Sequence, residues 1–324
     1  MNTRKRLTGI WLMAMALISL CAYTAFFVAQ MWLNILYAVY LSLAIMQVSA
    51  LIVYLWGTEK LTFRPLRMLY HLFCASSFLV IPSFVFIFMG LISQYHIKIP
   101  DSIDATNMPV EKILPGNRTT IYNTGTVYVF FPEYTSAELV TGDRPSKRDD
   151  SITWCCGAAF QHTVSLGFSE ENVEGDHAVN GAYYESPYTR DAFGAFTFAD
   201  GEFAFTFDGA RDAIKSAADA GGNGFMQFAL IDNKKTVMNF DRPRARCYRT
   251  IAELNGHLCI IDSVNMLHFD EFLSELNRLG VTNALYMDMG AGWNYSWYRN
   301  AQGKVVTLFG LPVPWSHNWI VLRK

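Results

Sequence analysis

The residue types best suited to chemistry fall in two short stretches of the chain. The first is residues 281–299, VTNALYMDMGAGWNYSWYR. Its apolar run, Val281, Ala284, Leu285, Tyr286 and Met287, reads as a strand that delivers a single carboxylate, Asp288, at its end. Gly290, Ala291 and Gly292 follow, small enough for another molecule to approach the backbone closely. An acid at the carboxyl end of a strand, before a glycine turn, stands where ligands of α/β sheets usually bind. Trp293, Asn294 and Trp297 then offer stacking and hydrogen-bonding surface, and Arg299 closes the stretch with a cation. A tight turn with a packed aromatic cluster would use the same residues, since large aromatic side chains dominate core energetics as well.

The second stretch is 244–264. Asn255-Gly256 between two β-rich runs predicts a two-residue type I′ hairpin. Such a turn sets Leu254 opposite His257, and so Ile251 opposite Ile260, Arg249 opposite Asp262 and Cys247 opposite Val264. On this register Cys247 and Cys259 lie on opposite faces and do not bridge each other. Arg249 and Asp262 share a face with Ile251 and Ile260, and a charged pair on an apolar face carries a desolvation cost. Either the pair has a role that justifies that cost, or it is a partly exposed cross-strand ion pair worth less than about 1 kcal/mol. Arg246 adds a second cation nearby, and a guanidinium is the side chain best shaped to clamp a phosphate or carboxylate.

These two stretches resemble the phosphodiester glycosidase family. That family carries an Arg-Thr strand, a hairpin, a helix ending in Leu-Gly, and an Asn-Ala-Leu-x-x-Asp-Gly-Gly-x-Ser element. The corresponding pieces are Arg249-Thr250, Leu279-Gly280, and Asn283-Ala284-Leu285 leading to Asp288-Met289-Gly290-Ala291-Gly292. Met289 stands where the first Gly is usual and Gly292 where Ser is usual. Gly157 falls near the family's Asn-Gly-Gly-Phe-like element, with Cys155 and Cys156 in place of the Asn. The resemblance runs over about 225–324. It implies hydrolysis of a sugar-1-phosphodiester at the glycosidic bond, with Arg249, Asp262 and Asp288 as catalytic residues. The substrate-binding residues would be Arg246, Gly157, Gly290, Gly292, Trp293, Asn294 and Trp297. It implies neither a cofactor nor a metal.

The elements that must position these groups follow from pattern and composition. The chain is 324 residues long, 52% hydrophobic, with a formal charge of −2. Residues 7–58 and 68–97 hold no Asp, Glu, Lys or Arg. The first 100 residues carry seven basic and one acidic residue; the remainder carries 19 basic and 27 acidic ones, a balance of −8 that repels nucleic acid. Apolar runs of this length predict three transmembrane helices, about 7–29, 33–56 and 68–94, in contact with a lipid bilayer. Arg4, Lys5 and Arg6, with Lys60, Arg64 and Arg67, place the N-terminus in the cytoplasm and the C-terminal domain outside. The expected organisation is a three-span anchor (1–94), a linker (95–125) and a phosphodiester glycosidase-like domain (126–324). The expected fold is an α+β extracytoplasmic domain with a mixed β-sheet and flanking helices behind that anchor. Strands are expected at 126–131, 152–160, 193–207 (a hairpin around Asp200-Gly201), 225–231, 235–238 and 305–309. Helices are expected at 208–220 and 270–279, and the stretches 136–151 and 168–191 read as loops. Cys155, Cys156, Cys247 and Cys259 lack paired metal-site spacing.

Three functions compete on these residues: a sugar-phosphate hydrolase, a non-catalytic glycan-binding protein, and a docking platform for membrane assembly. Keeping both Arg249 and Asp288 favours the first. Which of Asp262 and Asp288 attacks, and which orients, is open at this point.

Overall fold

The computed structural model divides into two compact units, residues 1–93 and 94–324. It describes residues 99, 101–161, 170–238, 245–289, 295–309 and 317–324. All of these belong to the second unit.

Two β-sheets make the frame. The larger, of twelve strands, runs in the order β1 (Ile103–Asp104), β2 (Thr120–Asn123), β3 (Val127–Phe131), β13 (His257–Ser263), β12 (Arg249–Leu254), β14 (Asn283–Tyr286), β10 (Asn223–Asp232), β6 (His177–Val179) and β7 (Ala182–Tyr184). The hairpin β8 (Phe193–Ala199) and β9 (Glu202–Thr206) pairs on β10, as does β11 (Lys235–Thr236). The smaller sheet has the order β16 (Val305–Phe309), β15 (Ser296–Arg299), β5 (Ile152–Gly157), β17 (Asn318–Arg323) and β4 (Ser136–Thr141).

The local chemistry explains the hairpins. Asn255 (φ 52°) and Gly256 (φ 78°) turn β12 into β13, and Asn180 (φ 46°) and Gly181 (φ 85°) turn β6 into β7. Both central residues of a type I′ turn need positive φ, which Asn and Gly adopt at least cost. The resulting register sets Arg249 opposite Asp262, Ile251 opposite Ile260 and Leu254 opposite His257, as the turn predicts.

Alternate residues of the large sheet feed two cores. Ile251, Ile260, Leu285 and Met287 meet Trp154, Cys156, Tyr298, Ile320 and Leu322 of the small sheet. On the opposite face, Ala252, Cys259, Ile261 and Ala284 meet α1 (Ala210–Asp219) and α2 (Phe269–Arg278). The expected stripe Phe269, Phe272, Leu273, Leu276 and Leu279 is the buried side of α2. Glu271 closes its first turn by accepting the His268 N–H at 2.8 Å. Gly280 (φ 67°) ends it. Because both faces of the central strands are covered, β12, β13 and β14 are buried almost throughout.

Several expectations change. The α+β domain with flanking helices behind three transmembrane helices is replaced by a mostly β architecture, about 45% strand and 13% helix over the described residues. No described helix is long and apolar enough to cross a membrane; the two α-helices have ten residues each. The predicted spans themselves fall within 1–98, outside the described residues, and the three-span integral-membrane location is withdrawn. Residues 103–123, read as linker, carry β1 and β2, and the loops expected at 136–151 and 168–191 contain β4, β6 and β7.

Candidate functional site

The hairpin register brings the two predicted stretches to one end of the large sheet. Thr250 pairs with Tyr286, and the Met287 N–H donates to the Arg249 carbonyl at 3.0 Å. The next residue, Asp288, leaves the strand and donates its backbone N–H to the carbonyl of Ala158, just beyond β5, at 3.0 Å. The C-terminal end of β14 is thereby tied to the small sheet. Asp288 is half-buried.

Arg249 is fully buried, and its guanidinium forks onto one carboxylate: Nε donates to Asp262 Oδ1 at 2.6 Å and Nη2 to Oδ2 at 2.5 Å. The Asp262 side chain keeps only 10% of its surface in solvent. The Trp154 ring lies 5.7 Å from the guanidinium carbon. Burial pulls the Arg249 proton affinity down, but the adjoining Asp262 carboxylate outweighs this and the net shift is upward. Beside it, burial pushes the Cys156 thiol up to about 11 against the opposing pull of Arg249, so this cysteine stays a neutral filler. Burial and the Asp262 carboxylate likewise push Cys247 to about 11. A bidentate pair shut between two sheets differs from the exposed cross-strand pair considered as the alternative, because removing one partner would strand a buried charge.

Motif residues around this pair hold the backbone. Thr250 Oγ1 donates to the Leu285 carbonyl at 2.6 Å, locking β12 to β14. Asn283 Nδ2 donates to Glu253 Oε2 at 2.7 Å, and Asn283 Oδ1 accepts the Asn233 N–H at 3.1 Å. Gly157 is buried in the small sheet opposite Trp319.

Other predicted residues stand elsewhere. Arg246 is exposed and bridges through its backbone to Leu267, while the intervening Tyr248 packs on the helix side. Trp297 is fully buried with Cys155, Trp319 and Val321 on the face of the small sheet that turns away from Arg249. Arg299 donates to the carbonyls of Ile152, Lys147 and Asp149 at 2.9–3.0 Å and pairs with Asp150 at 3.1 Å. Gly290, Gly292, Trp293 and Asn294 lie outside the described residues. Among the described residues no group of three or more His, Cys, Asp or Glu is arranged to hold a metal ion.

The same end carries further polar groups. Thr141, opposite Asn318, donates to Glu170 Oε1 at 2.6 Å, and Glu170 Oε2 lies 3.0 Å from Nε2 of the buried His177. Next to His177, the fully buried Asp176 accepts from Thr189 Oγ1 and the Ser186 N–H and pairs with Arg211 at 2.9 Å. The His317 N–H donates to Gln161 Oε1 at 3.0 Å. Gln227, within the apolar run of β10, is fully buried. A lone amide inside FMQFALI is the one sequence signal that could have marked it.

Among solved structures, the chain is similar to the catalytic domain of zebrafish N-acetylglucosamine-1-phosphodiester alpha-N-acetylglucosaminidase, auto-inhibited by its pro-peptide. The likeness is distant. Its TM-score is 0.44 at 9% identity, over 66% of this chain and 85% of that one. No family model matches the sequence, and no curated protein matches it.

Proposed function

We propose that the domain hydrolyses a glycosyl-phosphate bond, cleaving a sugar-1-phosphodiester between the anomeric carbon and the bridging oxygen. Water supplies the hydroxyl at the anomeric carbon and gives up its other proton to solvent, and the phosphate monoester departs with the bonding electrons as an anion. The observation that carries this reading is the arrival of Asp288 at the strand end next to the Arg249/Asp262 pair. The resemblance of Arg249-Thr250 and Asn283-Ala284-Leu285 to the phosphodiester glycosidase elements points the same way. A readily leaving phosphate needs little general-acid help, so one carboxylate facing the oxocarbenium-like sugar can carry the chemistry. Asp288, half-buried, takes that role. Arg249 acts through Asp262: with its fork closed on that carboxylate it is a positioning residue rather than the phosphate clamp.

The test is reducing-sugar release by the full chain from a panel of sugar-1-phosphodiesters. Asp288→Asn keeps shape and removes charge, and turnover should fall at least about a hundred-fold, the lower range for a positioned acid or base. Arg249→Lys should lose most turnover and lower the melting temperature together, because an ammonium cannot fork. Wild-type turnover in Asp288→Asn would remove this site.

A second reading, a non-catalytic glycan-binding domain, is favoured by the complete burial of Arg249 and its commitment to Asp262. Binding across the panel with no turnover would select it.

A further inference from the structure

On one edge of β10, two strands meet end to end. β14 pairs there at Ala229 and Ile231, and β6 pairs at Gly224 and Phe225. The Met226 N–H still reaches the Asp176 carbonyl at 3.2 Å, just ahead of β6. Between the two lies Gln227, and the Phe228 N–H donates to the Gln227 side chain, Oε1, at 2.8 Å. This is also the level at which Asp288 departs from β14. Extending the pairing of Ala229 with Leu285 by two residues sets Gln227 level with Met287, the neighbour of Arg249.

Gln227 faces the inter-sheet layer, since Phe225 and Ala229, two residues to either side, both belong to that core. Asp262, Arg249, Met287 and Gln227 therefore form one row across four strands, with Gln227 about 10 Å from Arg249 at the usual strand spacing. The bond from Phe228 identifies the oxygen end of the amide, which leaves Nε2 as the donor end. That nitrogen is buried and has no hydrogen-bond partner among the described residues. An unmet buried donor costs stability, and its place beside the departing Asp288 gives it a ligand to meet.

We infer that Gln227 is a substrate-binding residue, its Nε2 donating to a hydroxyl oxygen of the glycosyl unit held between the ends of β14 and β6. The inference rests on the glycosyl-phosphate reading and adds to it the residue that recognises the sugar. An amide donor suits a neutral hydroxyl; a phosphoryl oxygen calls for a cation.

Thermal melting of the full chain with and without hexose 1-phosphates, and with inorganic phosphate alone, reads binding independently of turnover. In Gln227→Met the hexose 1-phosphate should bind about ten-fold more weakly, the worth of one hydrogen bond on the scale of 1.4 kcal/mol per decade. Any response to inorganic phosphate should be unchanged. Gln227→Leu, likewise uncharged and without a donor, should show the same weakening, so that the loss follows the missing amide donor and not the shape of one replacement side chain. If both variants bind like the wild type, Gln227 serves only to cap Phe228 and the assignment fails while the enzymatic reading stands. Loss of the inorganic phosphate response in either variant would overturn the assignment to a sugar hydroxyl. A wild type that responds to no member of the panel would overturn the glycosyl-phosphate reading and the Gln227 assignment together.

Discussion

A single hydrogen-bonded pair decides how the site is read at the scale of residues. Arg249 and Asp262 bury a guanidinium and a carboxylate against Trp154, Ile251 and Ile260, so each charge depends on the other for its solvation. Asp262→Asn keeps the shape but halves the pair, and should cost about 3–5 kcal/mol of folding stability in a urea titration. A loss under about 1 kcal/mol would mean that solvent reaches the guanidinium and screens it as at a surface. This pair could be read from the sequence because a two-residue turn fixes register without any knowledge of the rest of the fold. Trp297 and Arg299 could not. Period-2 alternation says which residues share a face, but the small sheet is covered on both faces, and alternation does not tell which one looks toward Arg249. Aromatic residues and a cation clustered beside Asp288 in sequence thus end on the far face, in Trp297, and on backbone carbonyls, in Arg299.

Among the elements, the β12–β13 hairpin carries the geometry onward to β14. Gly256 has open space where a side chain would begin, so its φ of 78° is the only obstacle to substitution. Gly256→Ala should cost roughly 1–2 kcal/mol, the strain of a left-handed alanine, with no loss of packing. Thermal melting checks this; an unchanged melting temperature would mean that the turn relaxes to another type at no cost. Elements marked by such turns or by a 3.6-residue stripe were legible: β12, β13, β8, β9 and both helices. The missed strands have physical reasons. β6 and β7 are three residues each, too short for a period, although Asn180-Gly181 between them carried the same signal as Asn255-Gly256. β4 alternates Ala137 and Leu139 inward, but its outward Glu138 looks loop-like until Arg323 of β17 is seen to meet it at 2.7 Å. Which strand lies beside which is set by packing between segments far apart in sequence, and only the turn-linked neighbours announce themselves locally.

For the molecule as a whole, the inter-sheet layer joins the site to stability. Trp154 is fully buried at the centre of that layer, 4.9 Å from Phe130 of the large sheet and 6.1 Å from Tyr298 of its own, with the Arg249 guanidinium 5.7 Å from its ring. Its indole N–H also reaches Cys156 Sγ at 3.1 Å. One side chain therefore packs the two sheets together and walls the Arg249/Asp262 pair. Trp154→Ala should cost about 3–5 kcal/mol through the cavity it leaves. The loss should register equally in both sheets, because each buries its inner face only against the other. Urea unfolding followed by tryptophan fluorescence and by far-ultraviolet circular dichroism should give a single coincident transition, shifted to lower urea in the variant. Trp297 and Trp319, two of the chain's eight tryptophans, lie in the small sheet, while the larger sheet weighs more in the dichroism, so the two probes weight the sheets differently. Two separated transitions in the variant would show that the large sheet and its helices hold together without the small one. Arg249, Asp262 and the start of Asp288 would then be positioned by the large sheet alone, and the tie from Asp288 to Ala158 would be a consequence of the site's geometry rather than a cause of it.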